Sequence, residues 1–171
     1  MVHKYEIAKN WLPRYTGMQP DDFGDYILLT NFTNYIDSFS ETFDVEIKGE
    51  NKPMQSATNK DGLSIINFGI GSPNAALIMD LLTARNPKGV LFLGKCGGLK
   101  DTSEIGNFIL PIAAIRGEGT SNDYFPPDVP ALPSFKLHKF VSEKIVEANC
   151  DYRTGVISVS YTHLTLPTNG T

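Results

Sequence analysis

Three short apolar runs constrain this chain more than anything else in it: residues 26–30 (Tyr-Ile-Leu-Leu-Thr), 63–68 (Leu-Ser-Ile-Ile-Asn-Phe) and 89–93 (Gly-Val-Leu-Phe-Leu). Each has the length and β-branched content of a strand, and none shows the one-sided alternation of a strand with a wet face. Between them the spacing turns helical. Tyr35, Ile36, Phe39 and Phe43 form one stripe in residues 31–43, and Ala75, Ile78 and Leu82 with Ala76 and Met79 form another in residues 72–84. Strands apolar on both sides, alternating with helices, bury themselves as a parallel or mixed sheet with helices on both faces. The expected class is therefore α/β, a three-layer sandwich around a mixed central sheet.

The remaining elements read less strongly. Residues 5–12 predict a short helix with Ile7, Trp11 and Leu12 on one side, stopped by Pro13, so that Arg14 and Tyr15 fall in a loop. Residues 44–47 and 54–58 are weaker strand candidates around a turn at 49–53. Ser72 is placed to cap the second helix, with Pro73 at its first position. Residues 107–116 read as a long strand bent at Pro111, and residues 123–133 as an ordered loop holding Pro126, Pro127, Pro130 and Pro133. Residues 134–149 return to helix, with Leu137, Phe140, Val141, Ile145 and Val146 apolar.

The totals narrow the function classes. At 171 residues and 41% hydrophobic content, one sizeable core fits. A net charge of -4, without long runs of either sign, offers no footprint for nucleic acid or an acidic membrane surface. The two cysteines, Cys96 and Cys150, lack the spacing of a zinc site or disulfide framework, which fits a reducing cytoplasm. No secretory signal or membrane-length apolar run is read, so a soluble protein is expected.

Candidate chemistry gathers at strand ends. Gly69-Ile70-Gly71-Ser72-Pro73 joins a strand to a helix and puts bare amides at a positive helix end, though a tight turn of this kind is more often only a connection. Gly94-Lys95-Cys96-Gly97-Gly98 is stronger, because small residues surround a single lysine straight after a buried strand; the plain alternative is a lysine snorkelling to solvent. Cys96 reads as a small packing residue. His3, His138 and His163 show no spacing that would activate it, which sets aside a cysteine hydrolase. Glu118 and Asp123 are candidate acid–base groups, and Tyr124 and Phe125 either stack on a base or close their loop over the core.

Together these segments resemble the nucleoside phosphorylase superfamily of purine and uridine phosphorylases and nucleosidases, over about residues 26–157. Gly69-Ile70-Gly71-Ser72-Pro73-Asn74, followed by Asp80-Leu81-Leu82, is similar to the family's glycine–proline signature, with Asn74 in place of serine and Asp80 in place of glutamate. Gly94-Lys95-Cys96-Gly97-Gly98 is similar to the segment that meets ribose, anion and base edge. The segments Asn10-Trp11-Leu12-Pro13-Arg14-Tyr15-Thr16-Gly17 and Pro53-Met54-Gln55-Ser56-Ala57-Thr58, with the loop from Arg116 to Pro133, resemble the short bacterial branch that acts on AMP.

The resemblance implies a fold, a substrate and a set of site residues. Substrate-binding positions are Thr30, Asn31, Gly71, Lys95, Cys96, Gly97 and Gly98, with Arg14, Lys48 or Lys52 as candidates for the 5′-phosphate, reached from a neighbouring subunit of a homo-oligomer. The two arginines with which phosphorylases hold free phosphate are replaced by Asn34 and Phe92. Loss of those bidentate forks favours water as nucleophile. The implied reaction is hydrolysis of the N-glycosidic bond of AMP to adenine and ribose 5-phosphate, without a cofactor, with Lys95 on a ribose hydroxyl or on the substrate's phosphate. Alternatives are a purine nucleoside phosphorylase and a non-catalytic nucleotide-binding or oligomer-forming module.

The family's ribose-binding glutamate and its catalytic acid match nothing in the chain. Residues 159–168, Val-Ser-Tyr-Thr-His-Leu-Thr-Leu-Pro-Thr, resemble a translated sequencing adapter. The expectation is a domain part at residues 1–158, with its sheet incomplete at the C-terminus, then a non-native tail at 159–171. Such a chain is expected to release no adenine by itself.

Overall fold

The computed structural model describes residues 2–159, so nearly all of the adapter-like stretch lies outside the described residues. Two compact units divide after Cys96. The first contains α1 (Val2–Thr16), β1 (Tyr26–Thr30), α2 (Thr33–Phe43), β2 (Gln55–Thr58), β3 (Leu63–Asn67), α3 (Ser72–Leu81) and β4 (Gly89–Leu93). Its sheet runs β2-β3-β1-β4, with β3, β1 and β4 parallel and β2 antiparallel at one edge. The expected mixed sheet is therefore present.

Residue alternation along the strands decides which helix covers which face. Ile27 and Leu29 of β1 and Ile66 of β3 join Leu12 of α1 and Ile78 and Leu81 of α3 in one core. Ile65 of β3 and Ala57 of β2 join Ile36 and Phe39 of α2 in the other, with Leu28 packed against them. Neighbouring residues of β1 and β3 thus point into different cores, which is why those strands read as continuous apolar runs. The three layers are helices, sheet and helix.

Several local expectations change. The first helix runs through Pro13 to Thr16, and its stop is Gly17, at φ +77°, whose N–H donates to the Pro13 carbonyl. Arg14 and Tyr15 are consequently helical. The buried face is Ala8, Leu12 and Thr16, at intervals of four, while Ile7 and Trp11 are exposed. Ser72 does not cap α3: the cap position is Gly71, at φ +104°, with no side-chain bond, and Ser72 is the first helical residue. Met79 is also exposed, the buried residues of that segment being Ile78, Leu81 and Leu82. Residues 45–47 form no strand; Lys48 alone bridges to Ser56 beside β2.

One ion cluster pins the start of the sheet. Arg85 donates through Nε to the Phe23 carbonyl and through Nη2 to Asp25, both at 2.6 Å, and Lys88 meets the other Asp25 oxygen at 2.6 Å. The hydrogen bond from Lys88 leads the effects that hold the Asp25 carboxyl below its ordinary range.

The second unit contains β5 (Phe108–Ile109), β6 (Ala113–Arg116), α4 (Phe135–Glu147), β7 (Tyr152–Arg153) and β8 (Val156–Val159). β5 pairs with β7 and β6 with β8, both parallel, so the strand expected at 107–116 is two strands parted at Pro111. Proline has no N–H to give a ladder, which accounts for the break. α4 begins after Ser134, whose hydroxyl accepts from the Leu137 amide.

Candidate active site

The carboxyl ends of β3, β1 and β4 bring most of the first unit's sequence candidates to one edge. In register, Asn67, Thr30 and Leu93 are neighbours across the three strands. The chain leaves them into Gly69-Ile70-Gly71, into Asn31-Phe32 and into Gly94-Lys95-Cys96. Parallel strands all point their carbonyl ends the same way, so the loops that follow them converge, and ligand sites of open α/β sheets form there.

The loops after β1 and β3 are fixed by bonds their sequences supply. Thr30 is fully buried, and its hydroxyl accepts the Phe32 amide at 3.1 Å while its carbonyl accepts the Phe68 amide at 3.0 Å. Asn67 Oδ1 accepts the Gly69 amide at 3.1 Å, and Asn74 Nδ2 donates to the Ile70 carbonyl at 3.1 Å. Gly69 and Gly71 have φ values of +77° and +104°, a region that costs any residue with a Cβ. Gly94 leaves room for the Phe92 ring, which lies 2.6 Å from where a Cβ would be and, being exposed, would have to move for a larger residue.

Lys95 is exposed, yet it does not simply run out to solvent. Its Nζ lies 4.4 Å from the centre of the Phe32 ring and 5.5 Å from that of Tyr35. The two rings meet edge to face at 5.9 Å. No carboxylate pairs with Lys95 among the described residues. On the loop after the neighbouring strand β1, Asn31 Oδ1 is shielded from solvent and receives no hydrogen bond. The edge therefore offers an unpaired ammonium and an unfilled acceptor, on the loops that follow the neighbouring strands β4 and β1. The aromatic contacts of Lys95 are what sequence reading missed; Phe32 and Tyr35, directly after Thr30-Asn31, were the available signal.

Phe92 is more than half exposed and lies near Phe68, ring centres 5.9 Å apart. Cys96 is exposed, which corrects its reading as a packing residue. Gly97 and Gly98 open the second unit.

The other cations lie elsewhere on the same edge. Since β2 is antiparallel to β3 and Gln55 pairs with Asn67, the 48–54 turn stands at the carboxyl end of β3. The end of α1 packs on that turn: Met54 N–H donates to the Tyr15 carbonyl, and a Cβ on Gly17 would lie 2.9 Å from the Gly49 nitrogen. This brings the backbone of Arg14 to the turn that holds Lys48 and Lys52. Arg14 donates to Asn10 at 3.2 Å, and Lys48 pairs with Glu46. β2 is three inter-strand steps from β4, about 14 Å at the usual spacing.

In the second unit, Glu118 accepts the amides of Thr120 at 2.8 Å and Ser121 at 3.1 Å, closing the turn of residues 120–123. Burial pushes its carboxyl up, but the bonds from Ser121 and Thr120 together outweigh that and bring it down to about 2. A carboxyl held there is ionised at neutral pH and has no proton to give, which corrects its reading as a candidate acid. Tyr124 and Phe125 are exposed and close over no core. Among the described residues no cluster of metal-ligating side chains occurs, and no helix is long and apolar enough to cross a membrane.

Fold and edge together define a mixed α/β protein whose candidate ligand site lies at the carboxyl ends of parallel strands. The chain belongs to the Phosphorylase superfamily, which it matches over residues 26–161. It is 53% identical to the AMP nucleosidase of Bacteroides thetaiotaomicron VPI-5482, whose crystal structure superposes with a TM-score of 0.91, covering 95% of this chain and 71% of that one. It is 28% identical to the AMP nucleosidase of Escherichia coli K12 over 159 residues, 72% of this chain, and spans 33% of that protein's length. The uridine phosphorylase of Vibrio fischeri ES114, 24% identical, shares the fold with a TM-score of 0.78 over 85% of this chain and 62% of that one.

Proposed function

We propose that a protein carrying this chain hydrolyses the N-glycosidic bond of AMP, releasing adenine and ribose 5-phosphate. The observation that carries this reading is 53% identity over 95% of the chain to an AMP nucleosidase. The proposed substrate-binding set is Thr30, Asn31, Gly71, Lys95, Cys96, Gly97 and Gly98, within a single phosphorylase-like domain of a homo-oligomer. Arg14 belongs to a second cationic corner facing a neighbouring copy.

The chemistry of the strand edge agrees with hydrolysis. A phosphorolytic enzyme must hold a free dianion as nucleophile, best done with guanidinium forks. Asn34 and Phe92, at the positions where the resemblance puts those forks, offer no charge. Lys95 remains beside the β1 and β4 loops of this edge, a single ammonium that suits a substrate bringing its own phosphate. Asn31 Oδ1 suits a ribose hydroxyl, a donor that would satisfy an acceptor otherwise left unpaired. Water then attacks the sugar carbon as the bond to the base breaks, with positive charge growing on the ring oxygen and carbon.

The test is adenine release from AMP by a full-length protein carrying this chain, in phosphate-free buffer and with added phosphate. Release that is independent of phosphate, with ribose 5-phosphate as co-product, is expected. Release only with added phosphate would replace the reading by a phosphorylase.

A further inference from the structure

We propose that Phe32 and Tyr35 are positioning residues that hold the Lys95 ammonium at the strand edge, and that this platform is what makes the site prefer a nucleoside monophosphate to the free nucleoside. The inference rests on the AMP reading above and adds to it the residues that give the phosphate its partner.

The argument starts from the cost of fixing a lysine. An exposed lysine on a glycine-rich loop has four rotatable bonds, and ordering them to meet a ligand takes away binding free energy. Here the ordering is done beforehand. Lys95 Nζ lies 4.4 Å from the Phe32 centroid and 5.5 Å from that of Tyr35, both inside the range at which a ring face attracts an ammonium. The rings are themselves fixed: they meet edge to face, with planes 75° apart, and the Phe32 amide is tied to the buried Thr30 hydroxyl.

A ring face neutralises no charge, in contrast to a carboxylate. A lysine paired with Asp or Glu would have to give up that partner to bind phosphate, whereas Lys95 keeps its full charge for an incoming anion. The position agrees as well. Phe32 follows Asn31, whose buried oxygen waits for a donor, so a sugar hydroxyl and a phosphate are met by adjacent groups.

Two readouts on a full-length protein carrying this chain test this. Reductive methylation with 13C-formaldehyde gives each lysine a methyl signal while keeping its charge, and the Lys95 signal is assigned by its loss in Lys95→Arg. An ammonium over two rings should resonate upfield of the other lysines, move to their position in Phe32→Leu, and stay upfield in Phe32→Tyr. AMP and adenosine affinities are then measured by calorimetry. Phe32→Leu should weaken AMP about fivefold and leave adenosine unchanged, with Phe32→Tyr restoring AMP; Tyr35→Leu should do the same to a smaller extent.

A Lys95 signal among those of ordinary surface lysines, or an unchanged AMP affinity in Phe32→Leu, overturns the platform. Failure of the AMP reading shows separately. The unaltered chain would then bind adenosine as tightly as AMP, before any substitution is made.

Discussion

The two units use similar apolar content to different effect. In the first, β1 and β3 carry apolar residues on both faces, α1 and α3 cover one face and α2 the other, and residues such as Ile36, Ile66 and Ile78 have no exposed surface. In the second, strands of two to four residues carry mostly exposed side chains, and Leu110 is the one buried apolar residue among those described. Apolar residues stabilise a fold only when layers close on them. The first unit closes its layers, and it also holds the strand edge with Thr30, Gly71 and Lys95. A positioned side chain needs such a base.

The largest effect that tests this contrast is a core truncation. Ile66→Ala in the first unit should cost about 2–5 kcal/mol in urea unfolding, because it removes a fully buried side chain and leaves a cavity. Phe135→Ala, at a position 82% exposed, should change stability by no more than about 0.5 kcal/mol. Equal costs would break the comparison. Amide hydrogen exchange reads the same contrast without mutation: protection in β1 and β3 should exceed that in β5 and β7 by roughly 100-fold, since buried ladders open last. Equal protection would show that the second unit is as cooperative as the first.

Glycine substitutions sharpen it on a smaller scale. Gly49 has φ +79°, and a Cβ there would lie 2.5 Å from the Met54 carbonyl oxygen and 2.6 Å from that of Thr16. Gly49→Ala should therefore cost about 1–3 kcal/mol. Gly155, with no atom in reach of an added Cβ and no strained φ, should tolerate alanine within about 0.5 kcal/mol. Thermal or urea midpoints of the two variants decide it.

What was legible in the sequence follows the same division. β1 and β4 match the expected residues, and β3 differs only at its end, because strands buried on both faces show a continuous apolar signal. β7 and β8 escaped, being short and half wet, with no pattern longer than four residues. Helix ends were less legible than helices. Pro13 appeared to be a stop, yet the left-handed Gly17 is what ends α1, and Ser72 appeared to be a cap where the backbone of Gly71 takes the position. Of the site, the glycine turns and Lys95 were readable as residue types after strands. The rings under Lys95 were not, because a contact between loops that follow different strands leaves no periodicity along the chain. The Glu118 turn was missed for a related reason: a carboxylate that binds its own following amides looks in sequence like any solvated acid.

Glu118 supplies the smallest prediction, on a carboxylate turn of the second unit. Its carboxyl stands at about 2 in the folded chain against an ordinary 4.5, because the charged form accepts the Ser121 and Thr120 amides. A lowered value means that the carboxylate stabilises the fold above pH 4.5 and that this contribution is lost as pH falls from 4.5 towards 2. In a 13C carboxyl titration, Glu118 should change at about pH 2, well below the ordinary 4.5. Glu118→Gln should speed exchange at Thr120 and Ser121 at pH 7, and that difference should shrink as the acid limit is approached. A midpoint near 4.5 would mean that the two amides do not hold the carboxylate, and this turn would be lost from the comparison as a locally fixed feature of the second unit.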